Sequence, residues 1–303
     1  MITGIVSYPP GSDTYPFNLE GADESGIVIS QIDGLGPAAA SLHMESVYNV
    51  DGSFPTGIQV GQRNITIDFI LPGANPQEKR RLLYRAFPVK QRIRLDIRTE
   101  KRTYTIDGYV ETLNPGIFTP QQTVQISMVC PRPYFRQIEG YSTAGVEFRQ
   151  ASASFTFPIS TPPDKMFGNL TKTGVVTIDY SGDAPTGALM RFVLADNPGT
   201  LFVTNHARGE TWKMDFNIYK RVMGYTPGVG DTLEIDARED NLYAAVWRQN
   251  GQRVLTTGMV EFGSVWPTLY PGANPIEIFT TYGNANTSFS NVDLMYSPLF
   301  MGV

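Results

Sequence analysis

The residue types that most often carry enzyme chemistry are scarce and scattered in this chain. The two histidines, His43 and His206, stand far apart and in no metal-ligand spacing, and the single cysteine, Cys130, follows a strand-like segment. One cysteine cannot complete a common zinc set, and the chain contains no G-x-S-x-G nucleophile elbow. We therefore expect no metal site, solvated or packed histidines, and a buried thiol that acts as a small hydrophobic residue.

Two weaker signals for chemistry remain. Gly34-Leu-Gly36-Pro-Ala-Ala39 superficially matches a dinucleotide-binding loop, but residues 47–62 are rich in turn formers where a βαβ unit should continue. The second half also contains carboxylates that a glycoside hydrolase could pair across space; these are Asp179, Asp183, Asp215, Glu234 and Asp236. Acids at strand ends are mostly solvated, so we predict a protein that is not an enzyme and binds no cofactor.

Aromatic residues give a first candidate for binding. The chain is 12% aromatic, and its three tryptophans, Trp212, Trp247 and Trp266, all lie in the second half. Such rings can form a surface on which sugars stack, but the cores of β-sandwiches also use Trp and Tyr heavily. Trp247 alternates with Tyr243 and Ala245, as residues on the core-facing side of a strand would. Saccharide contact through the three tryptophans and burial in a core both stay open.

Charge is distributed unevenly along the chain and gives a second candidate. The net charge is −5, yet residues 1–62 contain seven acids and no Lys or Arg, while residues 79–102 contain ten basic residues. The basic stretch includes a candidate ring interface made of Arg80, Arg81, Arg85, Arg92, Arg94 and Arg98. In a ring these arginines would meet the acidic segment of a neighbouring copy, head to tail. A plain solvated face and nucleic-acid binding are the alternatives; single-strand binders prefer interleaved aromatic residues, which are absent here.

The elements that must position these residues are mostly strands. Alternation of polar and apolar residues predicts four strands in the first half, at 63–69, 92–98, 104–110 and 123–129. Asn75-Pro76, an N-cap followed by proline, predicts one short helix at about 76–87. Two prolines in Cys130-Pro-Arg-Pro-Tyr-Phe135 remove ladder donors, so this segment is predicted to end the sheet and to leave the domain.

The second half is predicted to consist of short strands. Candidates are 154–159, 174–180, 187–194, 200–204, 211–219, 231–236, 242–248, 252–257, 276–282 and 288–296. Asn250-Gly251 lies between two of them and is a strong hairpin signal. Many short strands with Gly- and Pro-rich turns indicate a β-sandwich of jelly-roll type. The 303 residues therefore predict an all-β fold with one short helix and two domains, 1–138 and 139–303. No apolar run approaches the ~18 residues of a membrane span, and we see no secretory signal.

The order of the elements and the local sequence resemble the distal tail protein of siphovirus-type phages. The resemblance rests on the segments 61–67, 106–111, 125–135, 266–276 and 295–303. It implies a structural hub whose N-terminal domains form a hexameric ring between the tail tube and the tail tip, with a central channel through which DNA passes. It also implies a C-terminal galectin-like sandwich to which receptor-binding or baseplate proteins attach.

The sequence therefore predicts a virion protein of the tail tip or baseplate that is made in the host cytoplasm. Its expected partners are further copies of itself, the tail tube protein, the tail-associated hub protein, and receptor-binding or baseplate proteins. We expect it to contact DNA only in passage and not to insert into a membrane. The alternative is a carbohydrate-binding module that recognises a host cell-wall saccharide through residues 139–303. A glycoside hydrolase is the third alternative.

Overall fold

The computed structural model describes residues 1–11, 13–19, 26–116, 122–137, 142–144, 175–224, 226–238, 241–281 and 288–303. The chain divides into a first unit, Met1–Glu139 with Leu299–Val303, and a second unit, Gly140–Pro298. This division differs from the sequence-based one at the C-terminus, where residues 299–303 join the first unit. The physical reason is that Phe300 packs into the hydrophobic core of the first unit.

Antiparallel strands organise the first unit. They are β1 (Ile2–Tyr8), β2 (Tyr15–Asn18), β3 (Val28–Asp33), β4 (Ala40–Glu45), β5 (Phe54–Val60), β6 (Arg63–Ile70), β7 (Arg92–Thr99), β8 (Thr103–Gly116), β9 (Thr123–Cys130), β10 (Phe135–Gln137) and β23 (Leu299–Phe300). The main sheet has the order β2-β1-β7-β8-β9-β6-β3, and β10 pairs with both β8 and β23. β4 and β5 form a separate two-stranded sheet.

The alternation seen in the sequence builds the core of this unit. On β6, Ile65, Ile67 and Phe69 are fully buried at every second position, as the pleat of a half-buried strand requires. Helix α1 (Pro76–Ala86) packs into the same core through Leu83. These positions confirm the predicted strands of the first half and the predicted helix.

The helix starts differently from the prediction. Asn75 has a left-handed backbone (φ 58°, ψ 46°), and its side chain makes no capping hydrogen bond. Its carbonyl oxygen instead accepts a hydrogen bond from the backbone N–H of Glu78 at 3.1 Å. Asparagine tolerates this backbone conformation better than most residues. The turn and the proline at position 76, rather than a side-chain cap, therefore begin the helix.

The two prolines at 131 and 133 interrupt the sheet without ending it. β9 stops at Cys130, and pairing resumes at β10, where Arg136 lies opposite Thr105 of β8. β23 then adds to β10, with Phe300 opposite Phe135. The prediction that this segment ends the sheet was therefore wrong, because the strand resumes two residues beyond the second proline.

The second unit is a β-sandwich. Its strands are β11 (Ser142–Ala144), β12 (Val175–Tyr180), β13 (Thr186–Gly187), β14 (Leu189–Leu194), β15 (Thr200–Asn205), β16 (Glu210–Asp215), β17 (Thr232–Asp236), β18 (Tyr243–Trp247), β19 (Arg253–Leu255), β20 (Thr268–Leu269), β21 (Gly272–Thr280) and β22 (Phe289–Tyr296). A six-stranded sheet, β11-β22-β14-β17-β18-β19, and a four-stranded sheet, β12-β21-β15-β16, share one core. β13 pairs with β20, and a 3-10 turn covers Thr257–Met259. The all-β prediction is confirmed; the candidate strand 154–159 lies outside the described residues.

A second helix replaces part of a predicted strand. The sequence predicted a strand over 211–219, but β16 ends at Asp215 and helix α2 (Phe216–Met223) follows. The Asp215 carboxylate accepts the N–H of Asn217 at 2.8 Å, and Gly224 ends the helix with a φ of 75°. Among the described residues, no helix is long and apolar enough to cross a membrane.

Candidate functional site

A two-stranded hairpin is separate from the main sheet of the first unit. In the part of the chain that the structure describes, β4 and β5 pair with no other strand, and Leu42 lies opposite Ile58. These two side chains are 61% and 68% exposed, and Tyr48 in the connection is 91% exposed. A lone two-stranded hairpin is only marginally stable in water, and exposed apolar patches mark interaction sites. Residues 40–60, hereafter the apolar hairpin, are therefore a candidate assembly surface.

The glycine-containing loop before the hairpin has a packing role. The strand β3 ends at Asp33, and the chain runs on to β4 rather than into a helix, so the dinucleotide-binding arrangement does not form. Gly34 has a φ of +83°, and a Cβ atom at this position would lie 2.0 Å from the backbone oxygen of Asn64. Close approach to β6 explains the glycine.

The six arginines of the predicted ring interface do not share one surface. On β7, Arg92, Arg94 and Arg98 are exposed, while the intervening isoleucines and leucine face the core. The helix α1 packs against that same core, so its arginines project from a different side of the unit. The helix arginines are Arg80, which donates to Gln122 at 3.1 Å, and the exposed pair Arg81 and Arg85.

Two of the strand arginines have acidic partners within their own chain. Arg92 forms an ion pair with Asp107 at 3.2 Å, and Arg94 forms one with the buried Asp96 at 3.2 Å. The Arg94 guanidinium also lies 4.0 Å from the centroid of the Tyr8 ring. The sequence predicted that these arginines would instead pair with residues 1–62 of a neighbouring copy. Arg81 and Arg85, which are exposed on the helix, are therefore better candidates for an intermolecular contact than Arg92 and Arg94.

The structure separates the three tryptophans. Trp212 is fully buried in the core of the second unit, so it offers no surface to a saccharide. Trp266 packs partly buried against that core, with its ring centroid 6.3 Å from that of Trp212. Trp247 is 38% exposed on β18, whose core-facing residues are Ala244 and Val246. The row that contains Trp247 thus faces outward, contrary to the core-facing interpretation.

A nearly buried carboxylate lies beside Trp247 on the same outward face. Glu234 is 5% exposed, and its Oε1 accepts hydrogen bonds from the Tyr243 hydroxyl at 2.5 Å and from Trp247 Nε1 at 3.3 Å. Its Oε2 accepts a hydrogen bond from Arg191 Nε at 2.7 Å. Burial raises the pKa of Glu234, but these three hydrogen bonds outweigh burial and hold the pKa below its usual range. The charged carboxylate therefore fixes the orientation of both rings.

A further arginine completes this surface. The Arg253 guanidinium lies 4.4 Å from the centroid of the Tyr243 ring and 5.7 Å from that of Trp247. Among the described residues, Arg253 makes no ion pair. We define the Trp247 face as the outward surface formed by Arg191, Glu234, Tyr243, Trp247 and Arg253.

The other carboxylates predicted as hydrolase candidates are solvated or have structural partners. Asp215 caps α2, and Asp236 accepts a hydrogen bond from Arg238 at 2.6 Å. Asp179 and Asp183 are exposed. Nowhere in the described part of the chain do three or more His, Cys, Asp or Glu side chains come together as metal ligands.

The histidines and the cysteine occupy separate places in the fold. Cys130 is fully buried, and burial raises the pKa of its thiol to about 12, so the thiol stays protonated and the small-hydrophobe interpretation is confirmed. His43 is exposed on the apolar hairpin. His206 Nε2 lies 2.7 Å from Glu277 Oε2 on the surface of the second unit.

Comparison with known proteins gives a family match within the first unit. Residues 21–130 match the family described as phage tail protein RIFT-related domain. The matched residues lie within the first unit. No curated protein matches the sequence.

Solved structures extend the likeness to the whole chain. The crystal structure of the Dit protein of phage SPP1, described as a paradigm of the hub adsorption apparatus in phages that infect Gram-positive bacteria, has a TM-score of 0.61 at 12% identity. The match covers 98% of this chain and 99% of that chain. Two structures of the phage p2 baseplate in its activated conformation, with calcium and with strontium, have TM-scores of 0.47 and 0.44 at 12% identity. They cover 98% of this chain and 98% and 97% of those chains, respectively. The predicted resemblance to the siphovirus-type distal tail proteins is confirmed.

Proposed function

We propose that this protein is a structural hub of a phage tail tip. Copies of it assemble into a ring, expected to contain six, that joins the tail tube to the baseplate and leaves a central channel for DNA. The ring serves as the attachment platform for receptor-binding or baseplate proteins, and the protein makes and breaks no covalent bond. The observation that carries this proposal is the apolar hairpin, together with the match of residues 21–130, which include the hairpin, to the phage tail protein family.

The apolar hairpin supports self-assembly because its apolar side chains are exposed to water in a single chain. Leu42, Ile58 and Val60 expose apolar surface. Val60 lies opposite Ala40, two residues along the hairpin from the Leu42–Ile58 pair and therefore on the same face. Burying such surface against a second copy removes it from water at about 25 cal/mol per Å². A ring gives every copy the same contact, so each hairpin is covered once the ring closes.

The charge pattern supports a head-to-tail contact. Residues 1–62 carry only acidic charges, whereas Arg81 and Arg85 are exposed on α1. Opposite charges on two different surfaces of one chain favour a heterologous interface over a two-fold one. Acidic side chains left facing the channel would repel phosphate and keep DNA from sticking.

Removing the apolar character of the hairpin is expected to weaken assembly. In the double variant Leu42→Thr and Ile58→Thr, the strand propensity stays high while apolar surface is lost, so we expect at least tenfold weaker self-association. Because both side chains are exposed in the single chain, the melting temperature of the monomer should hardly change. Mass photometry over a concentration series measures the effect.

Val229→Thr with Leu242→Thr, at exposed positions of the second unit, is the matched control. A hairpin variant that assembles like the unaltered protein would rule out this contact.

Reversing charge on the helix is expected to weaken assembly as well. The variant Arg81→Glu with Arg85→Glu places like charges against the acidic segment of the neighbour, and we expect several-fold weaker association at low salt. Folding should change by less than about 1 kcal/mol, because both side chains are exposed. The neutral variant Arg81→Gln with Arg85→Gln controls for the loss of the arginines and should show a smaller effect. If both variants match the unaltered protein at low and high salt, the charge-complementary contact does not exist.

A further inference from the structure

The outward face of the six-stranded sheet carries a rigid set of aromatic and charged groups. Four neighbouring strands supply it, since Arg191 of β14 lies opposite Glu234 of β17, and Trp247 of β18 lies opposite Arg253 of β19. Ala245, which points outward between Tyr243 and Trp247, is fully buried. The larger side chains around it therefore close into a continuous surface rather than leaving a gap.

This surface is arranged in a way that folding alone does not require. A carboxylate on the outward face of a sheet can remain in water at no cost, yet Glu234 is 5% exposed and accepts three side-chain hydrogen bonds. Burying a charge is unfavourable unless it is well bonded. The consequence of the arrangement is that the phenol and the indole cannot rotate freely. Preorganised rings lose less conformational entropy when a ligand binds.

A positive charge, that of Arg253, lies beside the Tyr243 and Trp247 rings. Arg191 neutralises Glu234. Arg253 lies over the two aromatic rings and forms no ion pair within the described part of the chain. A guanidinium presents five donors in a planar fork that suits carboxylate and phosphate oxygens. An occupant of the Trp247 face is thus expected to bring an apolar, flat side for the indole and a negative group for Arg253.

We propose that the Trp247 face binds a saccharide that carries an acidic substituent. The C–H side of a pyranose ring packs on the indole of Trp247, and the carboxylate or phosphate of the saccharide accepts hydrogen bonds from Arg253. Arg191 and Glu234 hold the two rings in place and border the ring hydroxyls. Small-molecule sites of this kind combine an aromatic surface with a few fixed polar groups. This activity goes beyond the hub role and does not depend on ring assembly.

Binding of immobilised oligosaccharides by the full chain tests this proposal. The probes are chitotetraose, which is neutral, tetragalacturonate, which carries carboxylates, and a phosphodiester-linked oligosaccharide. We expect at least one acidic probe to bind more tightly than the neutral one, and added salt to weaken that binding. Trp247→Ala should lower affinity at least tenfold, and Trp247→Phe, which keeps an aromatic ring, should lower it less. Arg253→Gln should abolish the preference for acidic probes.

The control variant is Phe279→Ala, which removes an exposed aromatic ring from the four-stranded sheet of the same unit. Near-ultraviolet circular dichroism confirms that each variant is folded. Unchanged binding in Trp247→Ala, equal loss in Phe279→Ala, or a preference for the neutral probe would overturn the proposal. Failure of the unaltered protein to bind any probe, with a protein partner captured by the same face instead, would overturn it too.

Discussion

Replacing Arg63 by methionine is expected to destabilise the first unit by about 3–5 kcal/mol. Arg63 is 3% exposed, and its guanidinium lies 4.4 Å from the centroid of the Phe135 ring. It donates hydrogen bonds to backbone oxygens of Gly34, Gly36, Pro133 and Met301. Methionine occupies similar space but cannot donate these hydrogen bonds. Because the four oxygens come from three distant stretches of the chain, the loss also frees the C-terminal strand.

Two spectroscopic signals separate this effect from changes in the second unit. All three tryptophans belong to the second unit, so their fluorescence reports its unfolding, whereas far-ultraviolet circular dichroism reports both units. Urea unfolding of Arg63→Met should shift the dichroism transition and leave the fluorescence transition in place. Arg80→Met, which removes an arginine bonded to Gln122 at the surface of α1, should change stability by less than about 1 kcal/mol. Equal transitions for the two variants would show that Arg63 does not hold the unit together.

Replacing Asn274 by alanine is expected to destabilise the second unit by about 2–4 kcal/mol. Asn274 is fully buried, and its Oδ1 accepts the backbone N–H of Tyr270 at 2.8 Å. Its Nδ2 donates to the carbonyl oxygens of Tyr270 at 2.7 Å and Gly272 at 2.8 Å. Its Oδ1 also accepts a hydrogen bond from Asn205 at 3.1 Å. One side chain thus closes the turn before β21 and ties it to β15, and alanine would leave several buried groups unpaired.

The chain contains its own control for this substitution. The pentapeptide Pro-Gly-Ala-Asn-Pro occurs at 72–76 and again at 271–275. Asn75 in the first copy is exposed and makes no capping hydrogen bond. Asn75→Ala should therefore cost only about 1–2 kcal/mol, from its left-handed backbone, and should leave the tryptophan fluorescence transition unchanged. A fluorescence transition that Asn274→Ala does not shift would contradict the role assigned to the buried amide.

The repeated pentapeptide also shows that the same local sequence can adopt different secondary structures. In the first copy it opens a helix, and in the second it leads into a strand, because different segments meet each copy in the fold. Proline at 76 and the apolar residues of α1 were enough to predict the helix. The buried network of Asn274 depends on Asn205, which lies 69 residues away, and no local pattern reports that contact.

Strands were predictable where one face alone is buried. Arg63–Ile70 and Arg92–Thr99 alternate cleanly because the core covers one side of each strand. The alternation misled the prediction at α2, since Trp212, Met214 and Phe216 are all buried at every second position although Phe216 already belongs to the helix. The signals that would have found this helix are the cap at Asp215 and the glycine at 224.

The candidate surfaces were harder to predict for a physical reason. Among the described residues, neither strand of the apolar hairpin has a buried position, so no core identifies it. Residues 40–45 do alternate apolar and polar residues, but the glycines and the proline of residues 52–57 indicate turns rather than a second strand. On β18 both rows are largely apolar, so periodicity could not tell whether Trp247 or Val246 faces the core. The register with Glu234 decides it, and register is a long-range property. The basic residues of α1 and β7 look continuous in sequence but project from different sides.

We expect this protein to act by assembling into a ring with a central opening, and electron microscopy tests this most directly. Electron micrographs of the purified full chain, and of phage tail tips that contain it, should show rings with a central opening and, in averaged views along the axis, six-fold symmetry. The Leu42→Thr and Ile58→Thr variant should deplete the rings in the same preparation. Isolated particles without an opening, both in solution at high concentration and on assembled tails, would contradict the account.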